Sequence, residues 1–228
     1  TNDIIACDEC LIQNEESNAV IQRVKELFVE YNIKPYDKVT HRGNIKHILT
    51  KKGYHSEEFM LCFITYQKTI KHIDQIVEIL IQEFPHIKTI IQNINERHDN
   101  VILGDEEKIL YGKGYIYDTL LDNQYKISLK SFYQINPIQV EKLYQTAIDL
   151  AHLNNDSIVL DAYCGIGTIT LSLAKHVKKV YGVEVVPQAI EDAKNNALLN
   201  KIDNAEFVCD DAGKYMVELV KKNTHLDV

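Results

Sequence analysis

The sequence predicts an α/β protein in two parts. Residues 1–130 read as an α+β region, and residues 131–228 as the opening half of a doubly wound parallel sheet. Three observations predict this. Helical periodicities and short strand-like runs mix in the first part, cut by Pro35 and Pro85. Asn136-Pro137 then offers a helix start, with a capping side chain followed by a ring whose fixed φ suits the first helical position. Beyond it strands and helices alternate strictly, and strands joined by helices of this length pair in parallel.

The elements follow in order. Val20, Val24, Leu27, Phe28 and Tyr31 recur at helical spacing between Asn14 and Tyr31. Ile45–Thr50, Phe59–Tyr66 and Lys88–Ile94 read as strands. Between the last two, Ile70, Ile73, Val77, Leu80 and Phe84 mark one face of a helix. Gly104, Gly112 and Gly114 read as turns, and Tyr115–Thr119 and Tyr125–Leu129 as further strands, which predicts a mostly antiparallel sheet. The joining helix carries Val140, Leu143, Tyr144, Ala147 and Ala151. After it come strands at Ser157–Leu160, Lys179–Val183 and Ala205–Val208, and helices at Gly167–His176, Pro187–Asn200 and Gly213–Lys222. Leu226-Asp227-Val228 resembles the opening of a fourth strand. Three strands leave a sheet edge uncovered. The expectation is therefore a chain that is part of a longer protein.

Composition excludes several classes. At 228 residues, 45% hydrophobic and 25% charged, this is an ordinary globular composition. No apolar run approaches the ~20 residues of a membrane-spanning helix, so no membrane partner is expected. The acidic start lacks the apolar core of a signal peptide. Five cysteines, an odd number mostly placed singly, predict a reducing, cytoplasmic setting. The net charge of −8, with Arg23, Arg42 and Arg97 the only arginines, predicts modest nucleic-acid contact by this chain alone. A small basic cluster (Arg42, Lys46, Lys51, Lys52) reads as a solvated face, with RNA phosphate contact as the alternative. The nine histidines show no zinc spacing.

The informative stretch is Val159-Leu160-Asp161-Ala162-Tyr163-Cys164-Gly165-Ile166-Gly167-Thr168. A strand ends on a carboxylate, and a glycine-containing turn opens a helix. Small residues there let a ligand approach the backbone, outside the carboxyl ends of the strands. Two ligand classes compete. The dinucleotide pattern G-x-G-x-x-G finds Gly165 and Gly167, but Thr170 stands at its third glycine. The D-x-x-x-G-x-G pattern of S-adenosylmethionine sites finds Asp161, Gly165 and Gly167. Glu184, at the end of the second strand, can accept two hydrogen bonds from ribose hydroxyls. Asp211, after the third strand, can accept from an adenine amino group. The bland reading makes Glu184 a solvated strand-end carboxylate and the glycines mere turns.

Four segments carry a family resemblance: Ser131-Phe132-Tyr133-Gln134-Ile135-Asn136-Pro137, Leu160 to Thr168, Tyr181-Gly182-Val183-Glu184-Val185-Val186, and Ala189 to Ala197. Across them the chain resembles the S-adenosylmethionine-dependent RNA 5-methyluridine methyltransferases. The resemblance implies a Rossmann-like class I methyltransferase domain, of which residues 131–228 are the N-terminal half, after an α+β central domain over residues 1–130. It implies that Gln134, Tyr163 and Glu184 bind the cofactor beside the Gly165–Gly167 turn, and that Asp211 faces the adenine. Phe132 is implied to stack on the target uracil. Thr168 stands where some members carry an asparagine that contacts the cofactor. The implied partner is RNA, ribosomal RNA first and tRNA as the alternative.

Family chemistry adds a cysteine thiolate to uracil C6, so that C5 becomes nucleophilic, and a base later removes the C5 proton. The resemblance places that cysteine and base downstream of a fourth strand, so no catalytic residue is carried onto this chain. Cys164 reads as packing beneath its turn rather than as the nucleophile. Cys7 and Cys10 form a C-x-x-C with acidic residues between, a weak redox signal. Cys10 resembles the last ligand of a [4Fe–4S] cluster in cluster-bearing members. This chain alone does not complete four thiolates, so no cluster is expected in it. Cys62 and Cys209 read as core. Alternatives to the enzyme reading are a non-catalytic S-adenosylmethionine- or RNA-binding module and, disfavoured by Thr170, a nicotinamide dehydrogenase.

Overall fold

The computed structural model describes residue 10 and residues 13–228. It divides into two compact units, residues up to 53 with 57–116, and residues 54–56 with 117–228.

In the first unit α1 (Glu15–Glu30) begins where Asn14 caps it, its side chain accepting from the Glu16 N–H at 3.0 Å. Glu15 and Glu16 sit in the first turn, where the helix dipole favours negative charge. The buried stripe is Val20, Val24, Leu27 and Phe28. The sheet runs β1 (Ile45–Lys52), β2 (Phe59–Thr65), β3 (Ile87–Ile94), β4 (Glu106–Gly112), in that order. β1–β2 and β3–β4 are antiparallel, while β2 and β3 pair in parallel across α2 (Ile73–Glu83). β2 is buried along its whole length, so it forms the centre of the core with Ile76 and Leu80 of α2. β4 is absent from the sequence reading. Its residues are almost all exposed, so it carries no apolar alternation to read. The basic cluster is largely spent internally. Lys46 Nζ donates to the carbonyls of Asn95 (3.1 Å) and Arg97 (2.6 Å), and Lys52 pairs with Glu16 (2.8 Å) and Glu57 (2.6 Å).

A hairpin pairs β5 (Tyr115–Leu120) with β6 (Asn123–Ser128), and from Tyr117 onward it belongs to the second unit. That unit also holds a parallel sheet β7 (Ile158–Ala162), β8 (Lys179–Glu184), β9 (Ala205–Cys209). The helices are α3 (Pro137–Leu150), α4 (Thr168–Ala174), α5 (Pro187–Leu199) and α6 (Ala212–Lys221). α3 starts as expected, Asn136 accepting from the Gln139 N–H at 3.1 Å. Val159 and Val180 pack on one face of the sheet with Ile148, Leu173 and Ala174. Tyr181 and Val183 pack on the other with Ala212, Tyr215 and Leu219. Helices on both faces make this a doubly wound, Rossmann-like α/β layer. The Leu160 N–H donates to the Val228 carbonyl (2.9 Å) and the Asp227 N–H to the Ile158 carbonyl (2.8 Å). Residues 227–228 thus lie along the edge of β7 away from β8, as a fourth strand would. The strand order reverses at β7, and open α/β sheets bind ligands at such a point.

The hairpin β5–β6, read with the first part up to residue 130, falls mostly within the second unit by its contacts. Side chains of α5 meet its outer edge. The Gln124 N–H donates to Asn200 Oδ1 and the Lys126 N–H to Asn196 Oδ1, both at 2.8 Å. Cys209, read as core, is exposed, because it ends the edge strand β9. Cys62 is buried as expected. No helix among the described residues is long and apolar enough to cross a membrane.

Asp118 is a buried acceptor in the second unit. Oδ1 accepts from the N–H groups of His55 (2.9 Å) and Ser56 (3.1 Å). Oδ2 accepts from the Tyr54 N–H (2.9 Å) and the Tyr133 hydroxyl (3.1 Å). Asp118→Ala strands these donors and is expected to destabilise the protein by about 2–4 kcal/mol. Urea unfolding measures this, and a loss under about 0.5 kcal/mol, the range of a neutral surface change, would contradict it.

Candidate functional site

The loop between β7 and α4 bends through three residues with positive φ: Tyr163 (65°), Gly165 (55°) and Gly167 (84°). A Cβ on Gly167 would lie 3.0 Å from Phe207 Cζ, and one on Gly182 2.8 Å from the same ring. Phe207 therefore packs tightly beneath the loop and requires both glycines. A Cβ on Gly165 would meet nothing within 4 Å. Open space stands above that backbone. The Cys164 N–H donates to the Val183 carbonyl (3.0 Å) and the Gly167 N–H to the Cys164 carbonyl (2.9 Å), fixing the loop to β8 and closing the turn.

Glu184 ends β8 facing this loop. Its Oε2 accepts from the Gly165 N–H at 3.3 Å and its Oε1 from the Val186 N–H at 3.0 Å. A carboxylate has about four lone-pair sites, so acceptor capacity remains. Asp161 accepts from the Thr170 hydroxyl at 2.5 Å. Burial pushes its carboxyl up to about 6; the Glu184 charge adds to the rise and the Thr170 hydrogen bonds oppose it. The Cys164 thiol is pushed up to about 12, by burial first and then by the Asp161 and Glu184 carboxylates. It stays protonated at neutral pH and is no nucleophile there.

The other expected residues have distinct settings. Asp211 is exposed and caps α6, accepting from the Lys214 N–H at 3.0 Å. The Thr168 hydroxyl bonds the Tyr144 hydroxyl at 3.0 Å, and the Thr168 carbonyl accepts from Tyr125 Oη at 3.1 Å. Tyr163 and Phe132 are exposed, at 75% and 71%, and Gln134 is half-buried. Ser131, at the head of the segment with Phe132 and Gln134, donates to Asp192 Oδ2 of α5 at 3.0 Å. So Gly165 and Glu184 are in direct contact with Asp161 close by, and Asp211 forms a separate station at the end of β9. Cys10 is a half-buried free thiol, and Cys7 lies outside the described residues. Among the described residues no group of three or more His, Cys, Asp or Glu could hold a metal.

Sequence reasoning missed Asp192 and Asn196 of α5. Both are buried, at 3% and 0% exposure. Asn196 Nδ2 donates to the Ile166 carbonyl of the loop at 3.2 Å. The signal was a polar stripe, Asp192, Asn196 and Asn200, repeating every four residues beside the apolar Ile190, Ala193 and Ala197.

The model of the tRNA (uracil-5-)-methyltransferase family matches residues 36–224. The chain belongs to that family. An uncharacterized RNA methyltransferase of Halalkalibacterium halodurans is 46% identical over 225 residues, covering 99% of this chain and 49% of that protein. One from Oceanobacillus iheyensis is 43% identical over 221 residues, covering 97% and 48%. Among solved structures, the Pyrococcus abyssi tRNA (uracil-54, C5)-methyltransferase in complex with S-adenosyl-L-homocysteine superposes with a TM-score of 0.76 at 29% identity. It covers 90% of this chain and 49% of that one. The chain spans about half the length of the curated relatives it matches. In this member of the tRNA (uracil-5-)-methyltransferase family, the Asp161–Gly167 loop and Glu184 line the carboxyl edge of the parallel sheet.

The raised Asp161 pKa gives a pH test. The folded state holds this proton more tightly than the unfolded chain, so the group's contribution to stability falls as pH rises from 3.8 to about 6. Asp161→Asn removes the titration. In urea unfolding, wild type should lose stability relative to Asp161→Asn between pH 4 and pH 7. A difference that stays constant would contradict the assignment.

Proposed function

We propose that this chain carries the S-adenosylmethionine site of an RNA uracil-C5 methyltransferase. The observation that carries the reading is the charge of the site. Asp161, Glu184, Asp210 and Asp211 stand at the carboxyl ends of three successive strands. Such surroundings favour a sulfonium cation with hydroxyl and amino donors, and oppose the anionic pyrophosphate of a dinucleotide. Family membership supports the same reading, as does the S-adenosyl-L-homocysteine in the Pyrococcus abyssi relative.

The residues present fit that cofactor. The space above Gly165 admits a ligand against the backbone. Glu184 keeps acceptor capacity for ribose hydroxyls. Asp211 keeps lone pairs for the adenine amino group beyond its helix cap. Gln134 and Tyr163 border the cofactor by family position, with Gly167 and Thr168 shaping the turn. Phe132, with its exposed ring, is the stacking partner for the target uracil. S-adenosylmethionine, when bound, supplies an electrophilic methyl group. The chain's own residues bind and orient it; Cys164 serves packing. The cysteine that adds to uracil C6 is assigned to no residue of this chain. The partner is RNA, ribosomal RNA first and tRNA second, in the cytoplasm.

Calorimetric titration of the intact protein with S-adenosylhomocysteine tests the proposal, with NAD as control and Glu184→Ala as the site variant. Saturable binding, weakened at least about tenfold in Glu184→Ala through loss of charge-assisted hydrogen bonds, with no response to NAD, is expected. Binding of NAD, or full affinity in a folded Glu184→Ala, would overturn it.

A further inference from the structure

Helix α5 touches both chain segments that the cofactor reading uses. Asn196 is fully buried with two backbone partners. Its Oδ1 accepts from the Lys126 N–H of β6 at 2.8 Å, and its Nδ2 donates to the Ile166 carbonyl at 3.2 Å. An N–H can only donate and a carbonyl can only accept, so these partners fix which way the amide points. One turn earlier, Asp192 Oδ2 accepts from Ser128 Oγ and Ser131 Oγ, each at 3.0 Å. Ser131 Oγ also accepts from the Ser128 N–H at 3.0 Å. Ser131 directly precedes Phe132, Tyr133 and Gln134. The glycine loop and the Ser131–Gln134 segment are thus hung on one face of one helix, four residues apart.

We infer that Asn196 and Asp192 are positioning residues, which set the glycine loop and the Ser131–Gln134 segment against each other for cofactor binding. The inference rests on the S-adenosylmethionine reading above. Neither side chain is asked to touch the cofactor. Asn196 ties the Ile166 carbonyl of the turn to α5, one residue from the Gly165 backbone. Asp192, through Ser131, fixes where Gln134 and Phe132 leave the hairpin. Precise placement of binding groups costs conformational entropy, and here that entropy is already spent in the folded protein before the ligand arrives.

Asn196→Asp makes a selective test. It keeps an acceptor for the Lys126 N–H and replaces the donor to Ile166 by an oxygen that repels its carbonyl. Asn200→Asp is the matched control. It keeps the acceptor for the Gln124 N–H and loses donation to the Gln124 and Asn196 carbonyls, at 2.7 and 2.8 Å, without contact to the glycine loop. Ser131→Ala tests the second arm and serves if Asn196→Asp does not fold. In the intact protein, Kd for S-adenosylhomocysteine and Tm are measured for all four forms. The expected result is a Kd raised at least about tenfold in Asn196→Asp, and about three- to tenfold in Ser131→Ala, which loses the bond to Asp192 and the acceptor for the Ser128 N–H. Asn200→Asp should lower Tm with Kd within about twofold, since about 0.4 kcal/mol is the scale of an uncoupled site. Wild type that binds no S-adenosylhomocysteine would overturn the cofactor reading and this inference with it. Wild-type affinity in folded Asn196→Asp and in Ser131→Ala would overturn the inference alone. Equal losses in Asn196→Asp and Asn200→Asp would overturn it too, by showing that affinity follows general stability.

Discussion

Four residues of α-helix rise about 6.0 Å and two residues of β-strand about 6.6 Å. On that near-match α5 runs antiparallel beside β6. Asn200 stands against Gln124, Asn196 against Lys126 and Asp192 against Ser128. Each alternate N–H on the outer edge of β6 meets a side-chain oxygen, the last from Ser131. An open strand edge would otherwise template pairing with another chain. Here the helix substitutes for a neighbouring strand, and the hairpin is thereby joined to the Rossmann-like layer. Of these contacts, Asn196 also reaches the glycine loop and Asp192 the segment leading into α3.

The electrostatics of the site rest on what packs beneath the loop. Phe207 closes the floor beneath the loop, and Cys164 turns inward against Gly182, where a Cβ would lie 3.0 Å from its sulfur. Burying that thiol beside two carboxylates keeps it neutral. Glu184 meets the loop at the Gly165 N–H, while Asp161 is held by the Thr170 hydroxyl. On the proposed reading, such a site disfavours phosphate and suits cationic, hydroxyl-bearing ligands.

Much of this was legible in the sequence. Strict alternation after Asn136 pointed to the parallel layer, and Asp161, Gly165, Gly167 and Glu184 marked the loop and strand end at its carboxyl edge. Local signals sufficed there, because capping, turn chemistry and strand-end carboxylates act over a few residues. β4 escaped because an exposed edge strand has no buried face to impose a period. The docking of β6 on α5 escaped because it joins residues about 70 positions apart, as the separation of Lys126 from Asn196 shows. Asp192 and Asn196 escaped for a related reason. A polar stripe on a helix reads as a solvated face unless its partners are known, and these two are buried. Cys209 misled because an apolar run at the end of an edge strand does not guarantee cover.

We infer that two sequence-distant segments, held by α5, contribute to one cofactor site. Hydrogen–deuterium exchange of the intact protein with and without S-adenosylhomocysteine tests it most directly. Exchange is expected to slow together in residues 131–135, 163–168 and 184–186 when the ligand is present. Protection confined to one of these segments, or falling elsewhere on the chain, would contradict it.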